Sequence, residues 1–166
     1  MKTAIRSEDP VMFLEHEELY GVKGEVPDGE LLIPLGEAEI KRAGRDVTLI
    51  ALSKMVFVCL EAAEQLAAEG IDAEVLDLRC LNPLDMAAVI ESVGRTRRAI
   101  TVEESWLTGG WGGEIVARIM ATCFDTLDAP VLRVAAADVS APYNKQLEQL
   151  AIPHAEDVVA RVKELF

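Results

Sequence analysis

Short apolar runs alternate with longer segments of helical periodicity along most of this chain. Val47 to Leu52 is a continuous apolar run with one threonine, which predicts a strand covered on both faces. Small apolar residues recur at helical spacing from Val56 to Ala67, and Gly70 follows as a C-terminal stop. Ala73 to Leu78 predicts the next strand. Because parallel strands need long crossovers, this alternation predicts a mostly parallel sheet between two layers of helices.

The second half of the chain continues the same rhythm. Asn82 is predicted to cap a helix that has Pro83 at its first position and Asp85 in its first turn. The later elements, in chain order, are a strand at Ala99 to Val102, a helix at Glu114 to Cys123, a strand at Val131 to Ala135 and a helix from Ala155. The fold class is therefore α/β, with three α/β/α layers around a five-stranded sheet.

One strand of this sheet is predicted to be antiparallel and to lie at an edge. The segment Glu37 to Arg42 is separated from the strand at Val47 by only a few residues, including Gly44. Such a connection is too short for a parallel crossover, so the two segments are predicted to form an antiparallel hairpin.

Residues 1–36 differ in composition from the rest of the chain. They contain Pro10, Pro27 and Pro34 and show no sustained hydrophobic period. We expect a short strand at Val11 to Leu14 and an exposed linker around residues 26–30. The predicted division is thus a leading segment, 1–36, and a folded domain, 37–166.

Charge and composition exclude several classes of protein. The formal net charge of -13 opposes a phosphate backbone, so we expect no nucleic-acid partner and favour a basic protein. No apolar run approaches the roughly 20 residues that span a bilayer, and no signal peptide is recognisable, so we expect no membrane partner and an intracellular protein. The three cysteines are odd in number and widely spaced, which favours reduced thiols in the core over a metal site.

A glycine-rich turn precedes the helix at Glu114. Gly109, Gly110, Gly112 and Gly113 surround a tryptophan, but the third glycine of a dinucleotide fingerprint would fall at Ile115, and no P-loop lysine follows. Backbone amides in such a turn could bind an anion at the start of the helix. The favoured interpretation is a tight turn that lets the helix approach the edge of the sheet.

Adjacent carboxylates end the strand that begins at Ala99. Glu103 and Glu104 lie at the carboxyl end of that strand, where open α/β sheets build their sites. Neighbouring side chains of a strand point to opposite faces, so the two glutamates are not expected to share a proton in a catalytic pair. One of them is expected to contact a neighbouring domain or subunit.

Two further charged residues have open interpretations. His16, between Glu15 and Glu17, could be held as a cation by its acidic neighbours or could be an ordinary solvated histidine. Arg79 lies two residues after Asp77, so the two side chains share a face and an ion pair between them is the simplest prediction. A phosphate-binding arginine is the alternative.

Four sequence blocks resemble one enzyme family in the same order. They are Pro10 to His16, Leu19 to Gly21, Asp77 to Asp85 (DLRCLNPLD) and Glu103 to Glu114 (EESWLTGGWGGE). Together they resemble the C-terminal, transketolase-like domain of the β subunit of thiamine-dependent 2-oxo acid dehydrogenases, most of all pyruvate dehydrogenase. The resemblance implies an oxidoreductase in the cytoplasm of a bacterium or in a mitochondrial matrix.

The resemblance also implies how the chemistry is divided. In the complete enzyme, thiamine diphosphate and magnesium are held between the α subunit and the N-terminal domain of the β subunit. No catalytic, cofactor-binding or metal-binding residue is therefore expected here, and the chain alone is expected to be inactive. The expected partners are the α subunit, a second β subunit and the acyltransferase of the complex.

Docking of the acyltransferase is the most specific implication of the resemblance. Its basic peripheral binding domain is expected to engage Asp128, just before the Ala-Pro-Val strand, and the terminal carboxylate of Phe166. His16, Glu103, Glu104 and the glycine turn are expected to be interface or family-motif residues. The alternatives are another thiamine enzyme (acetoin or branched-chain dehydrogenase, transketolase, deoxyxylulose-phosphate synthase), a flavodoxin-like or nucleotide-binding domain, or a stand-alone interaction module without enzymatic activity.

Overall fold

The computed structural model describes residues 1–166 and contains one five-stranded sheet. The strands are β1 (Glu39–Arg42), β2 (Val47–Ala51), β3 (Ala73–Asp77), β4 (Ala99–Trp106) and β5 (Leu132–Ala136). Their order across the sheet is β1-β3-β2-β4-β5. Strands β2 to β5 are parallel, whereas β1 is antiparallel. The predicted α/β class and the antiparallel edge strand are confirmed.

The predicted hairpin is wrong, because β1 pairs with β3 and not with β2. All five residues of β2 are buried, and its two edges are taken by the parallel neighbours β3 and β4. At Gly44 the chain leaves the outer edge of β3 and crosses past β3 to begin β2, and a Cβ atom at this glycine would collide with the backbone of Ala73 and Glu74. Arg42 fixes this crossing, since its guanidinium lies 3.1 Å from Asp72 Oδ1 and also donates to the carbonyl of Ala73.

Helices cover both faces of the sheet. They are α1 (Lys2–Ile5), α2 (Lys54–Ala68), α3 (Met86–Thr96), α4 (Gly112–Cys123), α5 (Lys145–Ala151) and α6 (Ala155–Lys163). One apolar core lies between the sheet and helices α2 and α6, and a second lies between the sheet and helices α3 and α4. The three predicted layers are therefore present. No helix is long and apolar enough to cross a bilayer.

Helix α3 begins later than the sequence predicted. Asn82 does not cap it. Asp85 is the N-cap, and its side chain accepts a hydrogen bond from the Ala88 amide at 3.1 Å. The second carboxylate oxygen of Asp85 accepts from the Ala38 amide at 3.0 Å, so this cap also fixes the chain entering β1. A carboxylate that satisfies two backbone donors is a stronger start signal than the upstream asparagine and proline.

Residues 1–36 contain only α1 and a short 3-10 helix, Glu17–Gly21. The strand predicted at Val11 to Leu14 does not form. Met12 and Leu14 are strongly exposed, and the segment pairs with no other strand. A strand without a partner leaves its backbone hydrogen bonds unmade, so an apolar run alone is not sufficient to make this segment a strand.

The order of the strands defines one special point along the edge of the sheet. From β2 the chain crosses to β3 on one side, and from β3 it returns to β4 on the other side. The carboxyl ends of β2 and β4 thus flank a topological switch point, the place where open α/β sheets bind their ligands.

Candidate functional site

The switch point lies between the end of β2 and the end of β4. Ser53, which links β2 to helix α2, has φ of 54° and ψ of -127°, a backbone conformation that non-glycine residues rarely adopt. This turn places Lys54 at the first position of α2. A lysine at a helix N-terminus is opposed by the helix dipole, so its position there indicates a carboxylate partner.

Glu103 is the buried charge on one face of β4. Its side chain is fully buried, and Oε1 accepts from Arg133 Nη2 at 2.6 Å and Nε at 3.2 Å. Oε2 accepts from the Ser105 hydroxyl at 2.7 Å and from the Gly112 amide at 3.1 Å. The carboxylate is therefore neutralised by Arg133 and lies at the positive end of helix α4.

The glycine turn brings α4 against this carboxylate. A Cβ atom on Gly112 would lie 2.6 Å from Thr101 Oγ1 and would collide with Glu103, while one on Gly110 would collide with Glu103 and with the Trp106 carbonyl. Gly109 has φ of 75°, which favours glycine. The close approach predicted for this turn is thus observed, and the anion that it holds is the chain's own Glu103.

Glu104 points to the opposite face, as the strand period predicted. Its Oε2 lies 2.8 Å from His16 Nε2, and its Oε1 lies 3.9 Å from Lys54 Nζ. Lys54 Nζ also lies 2.6 Å from Glu18 Oε2 and keeps the pKa of Glu18 below its usual value through this hydrogen bond. We call His16, Glu18, Lys54 and Glu104 the linker clasp.

The linker clasp fastens residues 16–18 to the edge of the sheet. His16 caps the 3-10 helix by accepting from the Glu18 amide at 3.3 Å, so the same histidine orders the linker and binds Glu104. His16 is therefore a partnered, half-buried residue and not an ordinary solvated histidine. Lys54 was not predicted from the sequence, although a lysine at the first position of a helix was the available signal.

The residues beside the switch point can perform only limited chemistry. Glu103 is buried and fully paired, Glu104 is engaged on the other face, and no group of three or more His, Cys, Asp or Glu side chains could hold a metal ion. Neither glutamate is arranged to exchange a proton with the other. The arrangement is suited to holding segments of the chain together.

Arg79 also differs from its predicted pairing. Its guanidinium binds Glu39 on β1, not the side chain of Asp77. Asp77 Oδ1 instead accepts from the Arg79 amide at 3.0 Å, and φ of Arg79 is 56°. The left-handed backbone directs the Arg79 side chain toward Glu39 on β1, which is the outer neighbour of β3. Burial raises the pKa of Asp77, and the bond from the Arg79 amide only partly offsets this effect.

A second surface brings together the two residues for which docking was predicted. Asp128 Oδ1 accepts from Arg97 Nη2 at 2.7 Å and Nε at 3.0 Å, and Asp128 Oδ2 lies 3.8 Å from Arg98 Nη1. The guanidinium of Arg98 lies over the ring of Phe166, 4.6 Å from its centroid, and Arg98 Nε donates to the Leu165 carbonyl at 3.1 Å. We call Arg97, Arg98, Asp128 and Phe166 the C-terminal patch. Sequence analysis did not identify either arginine.

Comparison with known proteins gives a consistent family. The family described as "Transketolase, C-terminal domain" matches residues 36–158. The chain is 47% identical over 167 residues to "Pyruvate dehydrogenase E1 component subunit beta-2, mitochondrial" of Oryza sativa subsp. japonica, covering 98% of this chain and 44% of that protein. It is 46% identical to "Pyruvate dehydrogenase E1 component subunit beta" of Rhizobium meliloti (strain 1021), covering 98% of this chain and 36% of that protein.

A solved structure agrees with this result. The fold is similar to that of a protein described as "Split gene transketolase, inactive beta4 tetramer", with a TM-score of 0.72 and 32% sequence identity. The match covers 86% of this chain and 45% of that chain. The chain thus spans less than half the length of these relatives.

Proposed function

The chain belongs to the transketolase C-terminal domain family, and from this premise we propose that it is the C-terminal domain of the β subunit of a pyruvate dehydrogenase. One observation carries the proposal: relatives from a plant and from a bacterium, both named as this β subunit, are 47% and 46% identical across 98% of the chain. In this proposal the complete α/β enzyme performs the thiamine-dependent oxidative decarboxylation of a 2-oxo acid, and this domain supplies assembly.

The cofactor belongs elsewhere in the proposed enzyme. Thiamine diphosphate with magnesium is the expected cofactor, but the residues beside the switch point do not fit a diphosphate. The cations beside the two glutamates, Lys54 and Arg133, lie on opposite faces of the sheet and are already paired with Glu18 and Glu103. On the Lys54 face, the carboxylate of Glu104 would repel a phosphate. We therefore place cofactor binding outside these residues and expect the chain alone to be inactive.

The leading segment has a distinct proposed role. Residues 1–36 would form the end of the preceding catalytic domain and the linker, and residues 37–166 the domain itself. The family match beginning at residue 36 supports this division. The linker clasp would then fix the direction in which the linker leaves the domain, because His16 and Glu18 are bound to Glu104 and Lys54 at the edge of the sheet.

The proposed partners are the α subunit, a second β subunit and the peripheral binding domain of the acyltransferase. The acyltransferase domain is basic in this family and would dock at Asp128 and Phe166. Their proximity through Arg98 supports a shared surface. A net charge of -13 would steer a basic partner toward the chain and make docking weaker in high salt.

The test is a calorimetric titration of thiamine diphosphate and magnesium into this chain and into the full-length β subunit assembled with its α partner. We expect binding and decarboxylation of pyruvate only in the assembly. Tight binding by the 166 residues alone would contradict the proposal. Branched-chain 2-oxo acids, acetoin and a ketose phosphate are the comparison substrates, since preference for one of them would assign the domain to another thiamine enzyme.

A further inference from the structure

An arginine of the same chain, Arg97, covers Asp128. Resting on the acyltransferase docking proposed above, we propose that Arg97 competes with the partner's cation for Asp128. Arg97 must leave Asp128 before a basic domain can engage both carboxylate oxygens. The partner chemistry that this surface fits is an exposed arginine or lysine on a basic protein.

The geometry makes Arg97 a competitor in its own right. Both of its donors converge on Oδ1 of Asp128, at 2.7 Å and 3.0 Å, while the closest cation to Oδ2 is Arg98 at 3.8 Å. A partner arginine that bound the carboxylate in a fork would need both oxygens. The two partners would therefore compete for Oδ1, and Oδ2 is the oxygen that can be approached first.

The backbone places Arg97 over Asp128. Arg97 ends helix α3 with φ of 61°, and its amide donates to the Val93 carbonyl at 2.7 Å. Its carbonyl accepts from the Asp128 amide at 2.9 Å, so main chain and side chain contact the same residue. Glycine or asparagine is favoured at such a left-handed position, and an arginine there has a backbone cost that its ion pair helps to offset.

Arg98 has a different role from Arg97. Its side chain is only 26% exposed, whereas that of Arg97 is 55% exposed. Arg98 is held between the ring of Phe166 and the Leu165 carbonyl, which fixes Phe166 beside Asp128. Arg98 therefore positions the two docking groups, and Arg97 is the side chain that is free to be displaced.

The expected effect is modest because the Arg97 to Asp128 pair is exposed. Removing an exposed competitor of this kind should tighten the partner's Kd about two- to fivefold. The variant of choice is Arg97→Asn, since asparagine tolerates the left-handed backbone. Arg6→Gln is the matched control: Arg6 forms another exposed arginine–carboxylate pair, with Glu30, outside the C-terminal patch, and loses the same charge.

The experiment is calorimetry of this chain with the recombinant peripheral binding domain of the acyltransferase as the probe. We expect Arg97→Asn to bind more tightly than the unmodified chain, Arg6→Gln to bind equally, and Asp128→Asn to bind weakly. In the Asp128→Asn background the Arg97 substitution should have no effect, which separates direct competition from a general change of charge.

The possible failures are distinguishable. If the unmodified chain binds the probe and Arg97→Asn binds equally or more weakly, Arg97 is neutral or is itself a contact, and the inference is wrong while docking stands. If no variant binds, both the docking proposal and the inference are overturned. If the double variant shows the same gain as Arg97→Asn, the gain arises from net charge and competition for Asp128 is refuted.

Discussion

Replacing Arg133 by methionine is the sharpest test of the buried site, because it would leave the buried Glu103 carboxylate without its cationic partner. Glu103 has no solvent exposure, and Arg133 is its only cationic partner. Ser105 and the Gly112 amide would remain as hydrogen-bond donors, but neither carries a full charge. Arg133→Met should therefore leave an uncompensated carboxylate inside the domain.

The magnitude follows from the burial of the pair. Removing one partner of a buried ion pair costs about 3 to 5 kcal/mol, and the 20% exposure of the Arg133 side chain places the expected loss near the lower end. Domains have unfolding free energies of only about 5 to 15 kcal/mol. At roughly 2 to 4 °C per kcal/mol for a domain of this size, Tm should fall by about 6 to 12 °C.

Thermal and urea unfolding of matched variants would measure this loss. Arg118→Met is the control, since Arg118 pairs with Glu114 at i,i+4 on the exposed face of α4 and should cost only about 0.3 to 0.5 kcal/mol. The double variant Arg133→Met with Glu103→Gln should recover part of the loss, because an amide oxygen still accepts from the Gly112 amide without a charge. A loss no larger than that of the Arg118 control, or a double variant less stable than the single one, would refute the reasoning.

Three further predictions test other parts of the structure. Gly112→Ala should destabilise the domain because its Cβ would collide with Glu103. Gly94→Ala, in the last turn of α3 with open space around it, should instead stabilise the domain by about 0.5 to 1 kcal/mol in the same melts. Burial raises the pKa of Asp77, so the stability contributed by the protonated carboxyl is present below the pKa of the unfolded carboxyl and is lost as pH rises through the folded pKa. Asp77→Asn should therefore raise Tm at about pH 7. A gain in Tm that persisted at about pH 3 would contradict this reasoning. Lys54→Glu should speed hydrogen exchange in the 3-10 helix, and adding Glu18→Lys should slow it again; failure of this charge swap to restore protection would show that the linker clasp does not order the linker.

The layers and the mostly parallel sheet were predictable because local patterns determine them. The apolar run at β2 and the helical period of α2 specify a parallel unit without reference to distant residues. The pairing of β1 was not predictable in this way, because a short connection favours a hairpin only when the facing edge of the next strand is free. Here both edges of β2 are occupied by strands that follow later in the chain.

The site was predictable only in part for the same reason. The strand period was enough to place Glu103 and Glu104 on opposite faces. Their partners were not evident, since Arg133 lies 30 residues after Glu103 and His16 lies 88 residues before Glu104. Sequence spacing carries no information about such contacts, although an unfavourable lysine at the first position of α2 was a usable signal.

At the switch point of this sheet, the positive groups hold segments of the chain itself instead of a separate ligand. In an open α/β sheet the helix N-terminus beside this point is the natural site for a phosphate, and glycine amides are the usual donors. Here the amide of Gly112 is bound by Glu103, and Lys54 is bound by Glu18 from the linker. Both anions that occupy the positive groups are covalently part of the chain, so their effective concentration is high and a free phosphate would have to displace them. A glycine-rich turn in this fold therefore need not indicate a nucleotide site, because the internal carboxylate of Glu103 already accepts the hydrogen bond from the Gly112 amide.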